Sequence, residues 1–299
     1  MFKSMTSPLV LKCPACSKAL ENPTCNDCGN ELALQDGIPI FPFATGQETY
    51  TTRVITFAEV QATLTSCFQL AGQGQTGTTH HLDGTHAAVF ESQRKGATVL
   101  EIGCGGGQMR PYITTLGLDY MGTDVSRTNV SEDLQRLDGP DFLSDVHNLP
   151  VLDAAVDVVY SAAVTQYFSA PTRAFQEVFR VLKPGGYFLS NCAFIEPWTD
   201  GSFFHTTPNG AISLLLSAGF EVSAMWPSRN YTGYQSLLAS GSKTARSLRF
   251  LGTPMRLICE LPYAAKRILR RGTYDDHAYA VDLARTAGGI DWIAKKPKD

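Results

Sequence analysis

The chain has 299 residues, 43% of them hydrophobic and 18% charged, enough to bury a sizeable core and to build one large domain with a small appendage. Its formal net charge of -3 and pI of about 6.1 provide no overall attraction to nucleic acid, which disfavours RNA or DNA as a partner. The opening residues lack the apolar core of a signal peptide and no run matches a membrane span, so the sequence is read as a soluble, cytoplasmic protein.

Of the eight cysteines, four fall within the first thirty residues, and Cys67, Cys104, Cys192 and Cys259 are scattered singly. That distribution suits metal binding in a reducing compartment better than a disulfide framework. "CPACSKALENPTCNDCG" contains two C-x-x-C knuckles, Cys13 with Cys16 and Cys25 with Cys28. Each knuckle aims two thiolates at one point, and two knuckles together close a tetrahedral site of the kind zinc prefers. The segment is too short for a core of its own, so the metal is expected to supply most of its folding free energy, as a structural rather than a catalytic zinc. "NELALQDGIPIFPF" then reads as a strand, an Asp36-Gly37 turn and a second strand ended by Pro42. Residues 1–43 resemble a small zinc ribbon.

Residues 44–96 read as a linker with an N-terminal helical segment, in which Phe57, Val60, Leu64, Cys67 and Phe68 share one face. A loop "AGQGQTG" leads to His80, His81 and His86, a cluster for which packing and surface roles outweigh ligation. From residue 97 short β-rich runs alternate with amphipathic helical stretches, the pattern of a parallel sheet covered by helices on both faces, with ligands at the carboxyl ends of the strands. The first run breaks into "LEIGCGGGQ", a G-x-G-x-G turn at Gly103, Gly105 and Gly107. Gln108 stands where a dinucleotide fingerprint wants glycine or alanine, so a pyrophosphate is not the natural occupant. Glu101 precedes the turn, while Asp124 and Asp145 end the next two strands. Such an edge suits a nucleoside with one ribose and an amino-acid tail but no phosphate.

From about Ala97 to Trp226, and again at the C-terminus, these motifs resemble the class I S-adenosylmethionine-dependent methyltransferases, some bacterial members of which carry an N-terminal zinc ribbon. The resemblance implies an α/β, Rossmann-like domain over 97–299 with a mostly parallel seven-stranded sheet and helices on both faces. It implies S-adenosylmethionine as cofactor, with Glu101, Gly103, Gly105 and Gly107 against its methionine and ribose part. Asp124 would bind the ribose hydroxyls, Asp145 would face the adenine amine, and Ser161 would lie beside the methionine part. "VLKPGGYFL" matches the family's turn into its fifth strand.

A methyl acceptor is expected at "SAAVTQYFSAP" and "NCAFIEPWTDGSFFHTTPNG". The first lacks the Asn/Asp-Pro-Pro-aromatic sequence of many base-amine methyltransferases. The second offers Glu196, Asp200 and His205 among Trp198, Phe203 and Phe204, with His205 the candidate general base for a hydroxyl acceptor. Gln166 and Tyr167 are candidate pocket walls. Residues 228–287 read as a helical insertion before the last strand, in which Pro254 and Pro262 are expected to limit helices to short pieces. Its basic, amphipathic stretch 242–271 suits a lid, an oligomer contact or an anionic membrane surface. The expected function is methylation of a hydroxyl on a small molecule or saccharide of a natural-product or glycan pathway. The alternatives are an rRNA guanine methyltransferase that binds RNA through its ribbon, and a non-catalytic cofactor-binding scaffold.

Overall fold

The computed structural model describes residues 10–42, 52–70, 82–127, 139–198, 201–228, 247–270 and 272–298, together with Gly233, Leu237, Leu238 and Thr244. Its centre is a nine-stranded sheet. The core strands are β5 (Thr98–Ile102), β6 (Asp119–Asp124), β7 (Phe142–Leu143) and β8 (Val156–Ser161), joined by the long β9 (Leu182–Ala193). These five pair in parallel in the order β9-β8-β5-β6-β7. Every residue of β5 is buried, as expected of a strand covered on both faces. Beyond β9, the closing strand β11 (Gly289–Lys295) runs antiparallel between β9 and β10 (Glu221–Pro227).

Seven strands were expected, and nine are present. The additional pair is the N-terminal hairpin of β3 (Ala33–Gln35) and β4 (Ile38–Ile40), which turns at Asp36 and Gly37, both at positive φ. Strand β4 continues the sheet in parallel past β7, with Ile40 opposite Leu143 and the Phe41 N–H bonded to the Leu143 carbonyl at 2.9 Å. The short β1 (Leu11–Lys12), paired with β2 (Ala19–Leu20), is tied back by the Lys12 N–H to the Pro150 carbonyl at 2.8 Å. Leu11, Leu20, Leu32 and Phe41 enter the same core cluster as Phe142, Leu149 and Val151. The hairpin covers an edge that would otherwise offer unpaired backbone groups.

Helix α1 (Phe57–Cys67) opens with a capping box, Thr56 and Glu59 bonding each other's backbone. Val60, Cys67 and Phe68 are buried and Leu64 packs beside them, but Phe57 points outward, 74% exposed, so the apolar face expected from the sequence is one residue shorter. The other sheet face is covered by α2 (Gly84–Glu91) and α3 (Arg110–Thr115), whose Phe90 and Ile113 meet Val99, Val158 and Leu189. Helices α4 (Pro171–Val181) and α5 (Pro208–Ser217) lead into β9 and β10. The expected turn at Lys183-Pro184-Gly185-Gly186 lies within β9. The prolines of the insertion do not cut it into short helices: α6 runs unbroken from Gly252 to Leu269, with Pro254 in its first turn and Pro262 inside. Proline is tolerated in a first turn, where N–H groups have no helical partner, and Pro262 is on the solvent side. Helix α7 (Asp276–Ala284) lies between α6 and the sheet.

Candidate active site

The crevice is built from one turn. Strand β5 delivers the chain to Gly103 at φ +70°, followed by Gly105 at +53° and Gly107 at +80°, conformations that disfavour side chains. A Cβ on Gly103 would stand 2.6 Å from Cγ1 of Val164, so the turn and the loop after β8 meet with no room for one. The N–H groups of Gly103 and Cys104 both donate to the Thr123 carbonyl, at 2.8 and 3.1 Å. Gly105 donates its N–H to Asp124 Oδ2 at 2.9 Å, and Val125 donates to Oδ1 at 2.7 Å. Burial pushes the Asp124 carboxyl upward against the pull of these N–H groups.

Glu101 is buried beneath the turn and accepts the Tyr120 hydroxyl. Burial pushes its carboxyl up to about 8, while the Tyr120 hydroxyl and the Arg110 guanidinium act in the opposite direction. Arg110 itself is bonded to Asp141 at 2.8 Å and lies 4.5 Å from the centre of the Tyr120 ring. Asp145 caps the single turn Val146–Asn148. Its Oδ1 accepts the backbone N–H of His147 at 3.0 Å and the ring Nδ1–H at 2.5 Å, while His147 Nε2 accepts the Ala170 N–H at 3.1 Å. These partners assign the proton to Nδ1. The carboxylate therefore also ties the end of β7 to the start of α4.

Ser161 ends β8, fully buried, and its Oγ has no hydrogen-bond partner among the described residues. The same holds for the Tyr160 hydroxyl, Gln166 Oε1 and His86 Nδ1. Buried polar atoms are normally paired, so the Ser161 and Gln166 orphans, at the end of β8 and in the loop after it, are places where a ligand or water is expected to complete the bonding, whereas the Tyr160 and His86 rings pack against each other under α2, 6.0 Å between centres. Sequence reasoning missed the residue that shapes this side. Asn191, near the end of β9, accepts the Ala163 N–H on Oδ1 at 2.6 Å, holding Ala163 at φ +57°, and the Ala163 carbonyl accepts Gln166 Nε2 at 2.9 Å. Asn191 Nδ2 reaches Asp291 Oδ1 at 3.4 Å, and Asp291 also accepts the Ser228 hydroxyl. Burial pushes Asp291 up to about 6. No local pattern in "LSNCAF" separates this asparagine from a surface one; a non-glycine residue held left-handed becomes visible only with its tertiary partner.

His205 is half-buried on the segment that bridges the two acceptor-side loops. Phe203 and Phe204 donate their N–H groups to the Gln166 carbonyl at 2.8 and 3.2 Å, and Thr206 donates to the Ala193 carbonyl at 2.8 Å. Among the described residues nothing hydrogen-bonds the His205 ring. Trp198, Phe203, Phe204 and Tyr167 are exposed beside it, and burial pushes Glu196 upward. Asp200, His80 and His81 lie outside the described residues. His86 is buried in α2 with Nε2 3.0 Å from the Trp292 carbonyl. Asp83 caps that helix through the N–H groups of Thr85 and His86 and accepts Trp226 Nε1 at 2.6 Å, so His86 sits among packing and capping contacts.

At the N-terminus the four knuckle thiols lie within 4.8 Å of one another. Cys13 is 3.7 Å from Cys28, and Cys16 is 3.7 Å from Cys25, measured between sulfurs. The two knuckles share a backbone pattern. Cys13 bonds the Lys18 carbonyl and receives the Ser17 N–H, just as Cys25 bonds the Asn30 carbonyl and receives the Gly29 N–H. Ser17 and Gly29 are both left-handed.

Residues 100–190 match the family model described as a methyltransferase domain. The chain is 36% identical over 114 residues to phthiotriol/phenolphthiotriol dimycocerosates methyltransferase 1 of Mycobacterium ulcerans, across 36% of this chain and 42% of that protein. It is 32% identical over 104 residues to the malonyl-[acyl-carrier protein] O-methyltransferase of Pectobacterium atrosepticum, across 34% and 41%. The chain thus spans under half the length of these two curated relatives. A solved structure of a putative sarcosine dimethylglycine methyltransferase from Galdieria sulphuraria aligns over 72% of this chain and 83% of that one, with 14% identity and a TM-score of 0.47. The family match and the strand order together give the central domain the Rossmann-like class I methyltransferase fold.

Proposed function

We propose that this protein transfers the methyl group of S-adenosylmethionine to a hydroxyl of a small molecule or saccharide in a natural-product or glycan pathway, with one structural zinc in its N-terminal ribbon. The observation that carries the reading is the Asp124 clamp on Gly105, a carboxylate set at the carboxyl edge of the sheet against a turn stripped of side chains. The donor supplies an already activated methyl on its sulfonium. What remains for the chain is to hold both substrates in line, exclude water and take a proton from the acceptor.

Asp124 accepts the two ribose hydroxyls, and the turn of Gly103, Gly105 and Gly107 lets the donor lie against bare backbone. Glu101 meets the cationic amino-acid end, Ser161 lies beside it, and Asp145 faces the adenine amine. An acidic edge of this kind favours a cationic nucleoside over a pyrophosphate. On the acceptor side the half-buried His205, whose ring has no hydrogen-bond partner among the described residues, takes the hydroxyl proton. An oxygen acceptor is in keeping with the O-methyltransferase named among the relatives.

The zinc reading rests on sulfur geometry. Bonds of about 2.3 Å at tetrahedral angles set neighbouring sulfurs roughly 3.8 Å apart, close to the 3.7 Å pairs of the ribbon and far beyond the roughly 2.05 Å of a disulfide. Four thiolates leave no open position, so the metal's task is structural.

Calorimetry on Asp124→Ala tests the donor site: affinity for S-adenosylmethionine is expected to fall about 100-fold, the scale of losing charge-assisted hydrogen bonds. Unchanged affinity refutes the assignment. A panel of acceptors with labelled donor tests the acceptor class, and label entering RNA instead of small hydroxyl compounds overturns it.

A further inference from the structure

Helix α6 is turned the wrong way round for a helix of a water-exposed layer. Its charged residues lie on the flank toward the protein: Arg256 and Glu260, paired within the helix at 3.8 Å, line a pocket with Pro227, Ser228 and Leu283, Lys266 pairs with Asp282 of α7 at 3.4 Å, and Arg267 pairs with Asp276 at the solvent-exposed rim. Lys266 also sits 4.0 Å from the centre of the Tyr274 ring. Its large apolar residues face outward. Met255, Leu257, Ile258, Leu261, Ile268 and Leu269 are 43–83% exposed, and Phe250 just upstream is 65% exposed. An amphipathic helix on a globular surface normally buries its apolar stripe. A continuous stripe left outward marks a contact surface.

Charge identifies the partner. Residues 243–271 hold eight lysines and arginines against one acid, Glu260, while the rest of the chain holds 17 against 27; Arg256, Lys266 and Arg267 are engaged in the ion pairs above, and the other five flank α6 in sequence or close its C-terminal end. A second copy docking on the same face by two-fold symmetry would bring two cationic segments together. An anionic bilayer instead offers hydrocarbon to the stripe and negative headgroups to the flanking cations, such as the exposed Arg270 at the C-terminal end. At 18 residues, α6 is about 27 Å long. No helix among the described residues is long and apolar enough to cross a membrane, so the geometry is that of a helix lying in the interface.

We propose that α6 docks this protein flat on anionic membrane surfaces, with the stripe from Met255 to Leu269 immersed in the headgroup–acyl boundary. The insertion that carries α6 leaves the sheet at Pro227, on the edge where the crevice opens, and the Gly233 backbone abuts Ile195 of the acceptor-side loop. Docking therefore turns the acceptor side toward the bilayer. The inference stands on the helix alone and does not depend on the reaction proposed above.

The test is sedimentation of the full chain with vesicles of phosphatidylcholine, with and without phosphatidylglycerol, alongside light scattering for oligomeric state. Binding to the anionic vesicles, weakening with added salt, is expected. Ile258→Glu combined with Leu261→Glu should lower it at least about tenfold, with an unchanged circular dichroism spectrum because both sites are exposed. Arg270→Glu should lower it severalfold and flatten the salt dependence. Absence of binding to anionic vesicles overturns the proposal. So does a dimer that the double variant dissociates without vesicle binding by the parent chain, which assigns the stripe to a second copy.

Discussion

The two margins of the sheet are finished in opposite ways. At one, the hairpin of β3 and β4 adds two strands beyond β7, Phe41 packs edge-on against Phe142 with ring centres 5.8 Å apart, and the four knuckle thiols gather within 4.8 Å of one another just upstream in the chain. At the other, Phe68 bridges Met225 of β10, α7 covers the strand, and α6 rests on α7 with its apolar stripe outward. One margin is closed by backbone pairing and buried aromatics; the other presents apolar surface. The difference teaches that hydrophobic residues at a sheet's flank are not all core, and that their direction decides between stability and contact.

The strongest test of this contrast is removal of the metal. Chelation, or Cys25→Ser, should lower the melting temperature by about 10 °C or more if zinc braces the closed margin, with about one zinc per chain by metal analysis. Melting unchanged by chelation would break that half of the comparison. Next in size, Phe41→Ala should cost about 3–5 kcal/mol in denaturant unfolding, as for a buried aromatic, whereas Ile258→Ala on the outward stripe should stay within about 0.5 kcal/mol. Equal costs would mean that the stripe is packed like core. On the acceptor side, which adjoins the open margin, His205→Ala should lower turnover about 100-fold with donor affinity retained; near-normal turnover removes the histidine from the proton transfer. The last test is a pH dependence at the centre of the sheet. Because folding raises the Glu101 carboxyl to about 8, the folded state holds a proton that the unfolded state releases above its ordinary range. Stability of the ligand-free protein should therefore fall as pH rises from about 5 to about 8. Glu101→Gln should flatten that slope, and an unchanged slope assigns it to other groups.

Much of this was legible because the relevant signals are local. The knuckle spacing, the Asp36-Gly37 turn and the break from β5 into glycine each express their chemistry within a few residues. What was hidden depends on distant partners. The hairpin strands could be read from the sequence, but nothing near Ile40 announces that it will lie opposite Leu143, so their joining the central sheet was invisible. Asn191 matters through Ala163, across the gap between β9 and the loop after β8. The periodicity of α6 disclosed an apolar face but not its direction, since period alone does not say which side meets the protein. Its prolines misled because the rule against them assumes that every helical N–H is needed; Pro254 sits in the first turn, and Pro262 gives up its bond on the solvent side.

The parallel pairing of β4 with β7 also sets an order of events during synthesis. The hairpin leaves the ribosome early, but the strand it must join is made about a hundred residues afterward, a delay on the order of 5–20 s at ordinary elongation rates. Through that interval its pairing edge is open to any passing strand, and the zinc proposed for the cysteine cluster would be a means of keeping so small a unit folded until its own neighbour arrives.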